Sequence, residues 1–117
     1  AAPQPTSGII QAWLQCCLDT KDRAEAERAW SFMHEQDIIP TATCFERMAR
    51  MHLMQEQYEE AFTLLEQTKQ CALVPTRRMY AAMIWTCWQH NDERWRDLMQ
   101  EMQEARYEPG ERLRALS

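Results

Sequence analysis

The sequence predicts an all-α protein, built as a short solenoid of three helix-turn-helix repeats. Three observations lead to this prediction. The chain of 117 residues has only two glycines and few β-branched residues, and it is rich in residues that favour helices. The tetrapeptides IIPT at 38–41 and LVPT at 73–76 lie 35 residues apart. Between these tetrapeptides, apolar residues recur with the spacing of amphipathic helices.

Prolines divide the chain into units of nearly equal length. Four of them recur at intervals of 34 or 35 residues: Pro5, Pro40, Pro75 and Pro109. A residue that precedes a proline is disfavoured in the helical conformation, so each proline is expected to end a helix. The resulting division is an N-terminal extension, three repeats and a C-terminal tail, at 1–5, 6–40, 41–75, 76–109 and 110–117. The tail contains the start of another first-helix pattern.

Two helices are expected in each repeat, separated by polar turns near 19–22, 55–57 and 90–92. The first helices carry apolar or interior positions at i, i+3, i+4 and i+7: Ile10, Trp13, Leu14, Cys17; Phe45, Met48, Ala49, His52; and Tyr80, Met83, Ile84, Cys87. The second helices have the same spacing: Ala26, Ala29, Trp30, Met33; Ala61, Leu64, Leu65, Thr68; and Trp95, Leu98, Met99, Met102. A single hairpin cannot cover these stripes, and about three stacked units are the usual minimum for stability.

Threonines mark the predicted helix starts. Thr41 and Thr76 follow the prolines and are expected N-caps, and Thr43 with Glu46 has capping-box spacing. Trp88 lies one turn beyond Trp85 and is expected in the core.

Composition excludes several classes of function. The net charge is −5, whereas proteins that mainly neutralise phosphates are usually basic. The five cysteines are odd in number and lack a CxxC motif, which predicts free, buried thiols rather than disulfides or a metal site. No motif for catalysis or for a cofactor is present, so we expect no enzyme activity, no metal and no cofactor. No apolar run is long enough to span a bilayer. The chain starts at Ala1, which leaves open whether a targeting segment was removed.

The repeat unit resembles the pentatricopeptide repeat. An aromatic residue opens the first helix (Phe45 and Tyr80), an Ala-x-x-Leu series follows in the second helix (Ala61 and Leu64), and the unit closes on apolar-x-Pro, as at 38–40. The resemblance extends over residues 6–109. It implies a right-handed solenoid, related to the tetratricopeptide repeat, and a protein of mitochondria or plastids. It also implies single-stranded RNA as a ligand, one nucleotide per repeat.

The positions that would read RNA bases do not carry the residues typical of RNA readers. The resemblance pairs one residue of each first helix with the residue after the closing proline: Gln11 with Thr41, Glu46 with Thr76, and Ala81 with Gly110. RNA readers typically have Asn or Thr paired with Asp or Asn at these two positions. The candidate groove for a partner or for RNA is formed by Gln11, Gln15, Glu46, Arg47, Arg50, Arg78, Ala81 and Trp85. Its arginines are expected on the solvent-exposed surface.

Two functions remain open at this stage. The first is a small scaffold or assembly subunit that binds other protein subunits of an organellar protein or ribonucleoprotein complex. The alternative is a protein that binds single-stranded RNA in organellar RNA metabolism or translation. The acidic charge and the absent base-reading pairs favour the first.

Overall fold

Seven α-helices form the secondary structure of the computed structural model, which describes residues 6–116. The predicted N-terminal extension at 1–5, with Pro5, and Ser117 lie outside the described residues. In chain order the helices are α1 (Ser7–Thr20), α2 (Arg23–Glu35), α3 (Ala42–Met54), α4 (Tyr58–Gln70), α5 (Arg77–Gln89), α6 (Arg94–Glu104) and α7 (Glu111–Arg114). No strand occurs in this described part, so the all-α prediction is confirmed.

Side-chain caps fix the start of three helices. The Thr41 hydroxyl accepts a hydrogen bond from the backbone N–H of Cys44 at 3.3 Å, and the Thr76 hydroxyl accepts one from the N–H of Met79 at 3.1 Å. Asp22 caps α2 in the same way. Each cap satisfies one of the backbone donors that a helix start leaves free. The predicted capping box was wrong, because Thr43 lies within α3.

The same backbone arrangement ends each of the six longer helices. A residue with left-handed φ lies at or just after each end: Lys21, Asp37, Glu56, Ala72, Asn91 and Arg106. In the three turns within hairpins, the next N–H donates back to a carbonyl five residues earlier: Asp22 to Cys17 at 2.9 Å, Gln57 to His52 at 2.8 Å, and Asp92 to Cys87 at 2.8 Å. These bonds satisfy carbonyls that the helix end leaves free. The turns therefore recur at intervals of 35 residues.

Helices pack against their neighbours in a regular order. Each of α1, α3 and α5 packs against the helix that follows it, which gives three hairpins. In addition, α1 packs against α3, α3 against α5, and α5 against α7. We call α1, α3, α5 and α7 the first-helix row. The molecule measures 53 × 27 × 22 Å, so this repeat-like architecture is elongated.

The core lies between the two helices of each hairpin and between neighbouring hairpins. Most of the predicted interior positions are buried; Trp13, His52, Trp30 and Trp95 are only half-buried. Ala26 and Ala61 are fully buried, which allows close approach of helices. His52 is held by the side-chain amide of Gln57, which lies 2.8 Å from its Nδ1 atom. Trp88 is 43% exposed, so its predicted core position was wrong.

Candidate partner-binding face

Two of the three residue pairs singled out in the sequence are hydrogen-bonded to each other. Gln11 in α1 donates from Nε2 to the hydroxyl of Thr41 at 2.7 Å. Thirty-five residues later, the hydroxyl of Thr76 donates to Oε1 of Glu46 in α3 at 2.8 Å. Each bond joins one hairpin to the start of the next. The third pair, Ala81 with Gly110, has no side-chain polar group with which to form such a bond.

Glu46 is buried, with only 5% of its surface exposed. Its second carboxylate oxygen lies 3.5 Å from Nη1 of Arg50, one turn along α3. A buried carboxylate is costly unless it is paired and hydrogen-bonded. Here Thr76 and Arg50 supply those partners, so Glu46 joins two hairpins and is shielded from a ligand in the groove.

Arg47 connects α3 to α1. Its Nη1 atom donates to the backbone carbonyl of Gln11 at 2.6 Å, and the side chain is half-buried. The expectation that Arg47 lies on the open surface was wrong, because its guanidinium reaches a carbonyl of the preceding hairpin. One N–H of Arg47 and one of Arg50, at Nε and Nη1 respectively, are buried without a hydrogen-bond acceptor.

Trp85 in α5 is half-buried and contacts two planar groups. The guanidinium of Arg112 lies 3.7 Å from the centre of the Trp85 ring, and Trp88 stacks on Trp85 with ring centres 5.5 Å apart. A cation over an indole face is favourable, and it orders both side chains. Ala81 and Leu113 border the same cavity of about 290 Å³ between α5 and α7. The sequence-predicted start of a further helix is thus seen in α7, where Leu113 is 5% exposed.

The remaining two predicted residues lie at the surface or near it. Gln15 donates to Asp19 within α1 at 3.0 Å. Arg78 is exposed at the first turn of α5. The structure therefore draws Gln11, Glu46, Arg47 and Arg50 into contacts between or within hairpins, whereas Arg78 remains available at the surface.

Charge is distributed unequally between the two sets of helices. Helices α3, α5 and α7 contain six arginines and two glutamates, and one of those glutamates is the buried Glu46. Helices α2, α4 and α6 contain nine acidic and five basic residues. A molecule of net charge −5 therefore has a positive face along α3, α5 and α7, which we call the arginine face.

A second polar cluster lies where α4 meets the turn before α6. Arg94 donates to Asp92 at 2.6 Å and to Glu59 at 2.8 Å, and its guanidinium lies 3.8 Å from the Phe62 ring centre. Hydrogen bonds from Arg94 lower the pKa values of both the Asp92 and the Glu59 carboxyl groups. This cluster was not predicted from the sequence. The available signal was that Glu59 and Arg94 are 35 residues apart and therefore occupy equal positions in neighbouring units.

Beside this cluster is a cavity of about 110 Å³, bordered by Leu53 and Met83 and by the buried thiol of Cys87. Burial, with a further contribution from the nearby Asp92 charge, raises the pKa of Cys87 to about 11. A thiol with such a pKa is a poor nucleophile at neutral pH. Cys16 and Cys71 are exposed rather than buried as predicted, and all five cysteines are free.

Two features are absent from the described part of the chain. Between residues 6 and 116, no group of three His, Cys, Asp or Glu side chains has an arrangement that could hold a metal ion. Over the same range, no helix has both the length and the apolar character required to cross a membrane.

Comparison with known protein families gives no match to this sequence, and comparison with curated proteins gives none either.

Proposed function

We propose that the three hairpins are repeats of a short right-handed solenoid of the pentatricopeptide type, and that the protein is a scaffold that binds other protein subunits. In this proposal it belongs to a protein or ribonucleoprotein complex of a mitochondrion or plastid and has no catalytic role. The organelle comes from the resemblance described above.

One observation carries the choice of a protein partner. The polar side chains at the positions expected to read RNA bases are bonded within the molecule, Gln11 to Thr41 and Glu46 to Thr76. A base edge is recognised by side chains with free donors or acceptors. Breaking these bonds to contact RNA would remove polar contacts between neighbouring hairpins and would leave the buried Glu46 without a hydrogen bond. The charge of −5 adds a general repulsion toward a polyanion.

The arginine face favours single-stranded RNA as the second candidate. Contacts to RNA phosphates need cationic side chains but no side chains that read bases. Trp85 could also stack on a base, but only at a ring face that Arg112 does not cover. Such binding would be independent of sequence and would weaken steeply with salt.

A titration with RNA distinguishes the two candidates. Fluorescence anisotropy is measured with a labelled oligouridylate of about sixteen nucleotides, at low and at physiological salt. The scaffold proposal predicts no binding at micromolar protein in either condition. Micromolar affinity with a steep salt dependence would show the RNA function instead.

A further inference from the structure

We propose that the arginine face binds an acidic, extended segment of a partner protein, with apolar side chains between its carboxylates. This inference rests on the proposed scaffold function and names the chemistry of the partner. The proposed contact residues on this face are Arg47, Arg50, Arg77, Arg78 and Arg112, together with Trp85 on α5.

The sign of the charge is the first argument. Helix α5 contains two arginines and no acidic residue, and the only acidic residue of α3 is the buried Glu46. The acidic residues that dominate the net charge lie mainly on α2, α4 and α6 and in the turns. An acidic ligand is therefore attracted to one face and repelled from the other.

Unused donors are the second argument. Arg78 is exposed and forms no hydrogen bond or ion pair with any residue between 6 and 116. The side chain of Arg50 is 33% exposed, and Arg112 is exposed as well. A carboxylate accepts two parallel hydrogen bonds from a guanidinium, a geometry that arginine offers and lysine does not.

The third argument is the spacing of the face. Arg50 and Trp85 are 35 residues apart and occupy equal positions on α3 and α5, which pack together. Packed helices are about 8–10 Å apart, close to three residues of an extended chain at about 3.3 Å each. A partner segment with a carboxylate and an aromatic or aliphatic residue about three positions apart would contact both.

The apolar part of the face favours a peptide over RNA. Trp85 contacts both Arg112 and Trp88, and Ala81 and Ala82 border the adjacent cavity of about 290 Å³. The guanidinium of Arg112 covers a ring face of Trp85, which leaves less room for a stacked base. Its edge, with the small alanines, suits aliphatic and aromatic side chains.

The test uses the full chain and three labelled probes of about sixteen units. The first is a peptide that repeats Asp-Leu-Asp-Phe, the second has Asn in place of every Asp, and the third is oligouridylate. We expect measurable binding of the acidic peptide at low salt, at least tenfold weaker binding of the Asn peptide, and no binding of the RNA at micromolar protein. Loss of binding at high salt is expected because the contacts are charged.

Two variants locate the site. Arg78→Glu changes an exposed side chain and is expected to weaken acidic-peptide binding by about fivefold or more; Arg50→Gln is expected to weaken it in the same direction. The matched control is Arg28→Glu on α2, whose side chain is 76% exposed and which should change affinity by less than about twofold. Circular dichroism checks that each variant is folded.

The outcomes separate this inference from the proposed function. Three outcomes would overturn the arginine face as an acidic-peptide site. They are equal affinity for the acidic and Asn peptides, an equal loss of acidic-peptide affinity in Arg28→Glu and Arg78→Glu, and no binding of any probe. The scaffold function would then stand with a different surface. Tighter binding of oligouridylate, lost in Arg78→Glu, would overturn both, because the same face would then be an RNA site.

Discussion

The Thr76 hydroxyl at the start of the third hairpin donates a 2.8 Å hydrogen bond to the buried carboxylate of Glu46 in the second. Thr76 also caps its own helix through the N–H of Met79. One hydroxyl therefore fixes both where α5 begins and how it sits on α3. Glu46 is thus a structural residue of the junction.

Replacing Glu46 with Ala is expected to lower the free energy of unfolding by about 1–3 kcal/mol, because Thr76 and Arg50 lose their partner in a buried site. Glu46→Gln keeps an acceptor for Thr76 and should cost less than Glu46→Ala. Urea denaturation measures both. The control is Glu60→Ala, an exposed residue on α4, for which a change within about 0.5 kcal/mol is expected. Equal effects of Glu46→Ala and Glu60→Ala would contradict the assignment.

Ala61 is fully buried in α4, which packs on α3. Replacing it with Leu is expected to destabilise the protein by about 1–3 kcal/mol, because the larger side chain forces the two helices apart. Ala24→Leu makes the same change on the exposed face of α2 and should be nearly neutral. Thermal or urea unfolding compares the two variants. If Ala61→Leu has the same free energy of unfolding as the wild type, α3 and α4 do not pack closely at Ala61.

Ala72 has a φ of 59° just after α4. A side chain in this left-handed region costs about 1 kcal/mol, and glycine avoids that cost. Ala72→Gly is therefore expected to stabilise the protein by a few tenths to about 1 kcal/mol. Ala12→Gly, at an exposed position in the middle of α1, should instead destabilise it by about 1 kcal/mol, because glycine is unfavourable inside a helix. In chemical denaturation, the changes in the free energy of unfolding should have opposite signs for the two variants. Changes of the same sign would rule out this turn geometry.

The buried thiol of Cys87 predicts a loss of stability at alkaline pH. Its pKa is about 11 in the folded protein against 9.0 for a free thiol. Below pH 9 the thiol is protonated in both states and contributes no pH dependence. Between pH 9 and 11 the unfolded chain loses this proton first, so stability falls as pH rises, by up to roughly 3 kcal/mol.

The Cys87→Ala variant isolates this effect. Its unfolding free energy should depend less on pH between 9 and 11 than that of the wild type, whereas Cys71→Ala, at an exposed thiol, should follow the wild type. Tyr80, whose pKa burial also raises, contributes a similar slope to all three proteins and cancels in the comparison. An unchanged slope in Cys87→Ala would mean that Cys87 is accessible to water.

Periodicity sufficed to predict the helices because apolar spacing and prolines are local signals. The 35-residue interval correctly predicted the recurring turns, such as those at Glu56 and Asn91. Exposure was harder to predict at the last hairpin. Leu18 and Trp88 occupy equal positions on their helices, yet Leu18 is 7% exposed and Trp88 is 43% exposed. Two more hairpins follow the hairpin that contains Leu18, whereas only the four-residue α7 follows the hairpin that contains Trp88 within the described residues.

The polar contacts of the candidate face could not be predicted from the sequence alone. The pairing of positions 46 and 76 came from the family resemblance, which treats both side chains as directed at a ligand. Whether two such side chains contact each other depends on the exact spacing of α3 and α5. Arg47 is a similar case, because a helix pattern places it at the surface, whereas its guanidinium reaches the Gln11 carbonyl.

The side-chain amide of Gln11 is the most direct reporter of whether the polar positions between hairpins are closed to a ligand. Its proton–nitrogen NMR signals can be followed while the labelled oligouridylate of about sixteen nucleotides is added at low salt. Because Nε2 is bonded to Thr41, we predict that these signals do not move during the titration. A saturable shift of the Gln11 amide signals upon RNA addition would contradict the account, since it would show this side chain at the RNA.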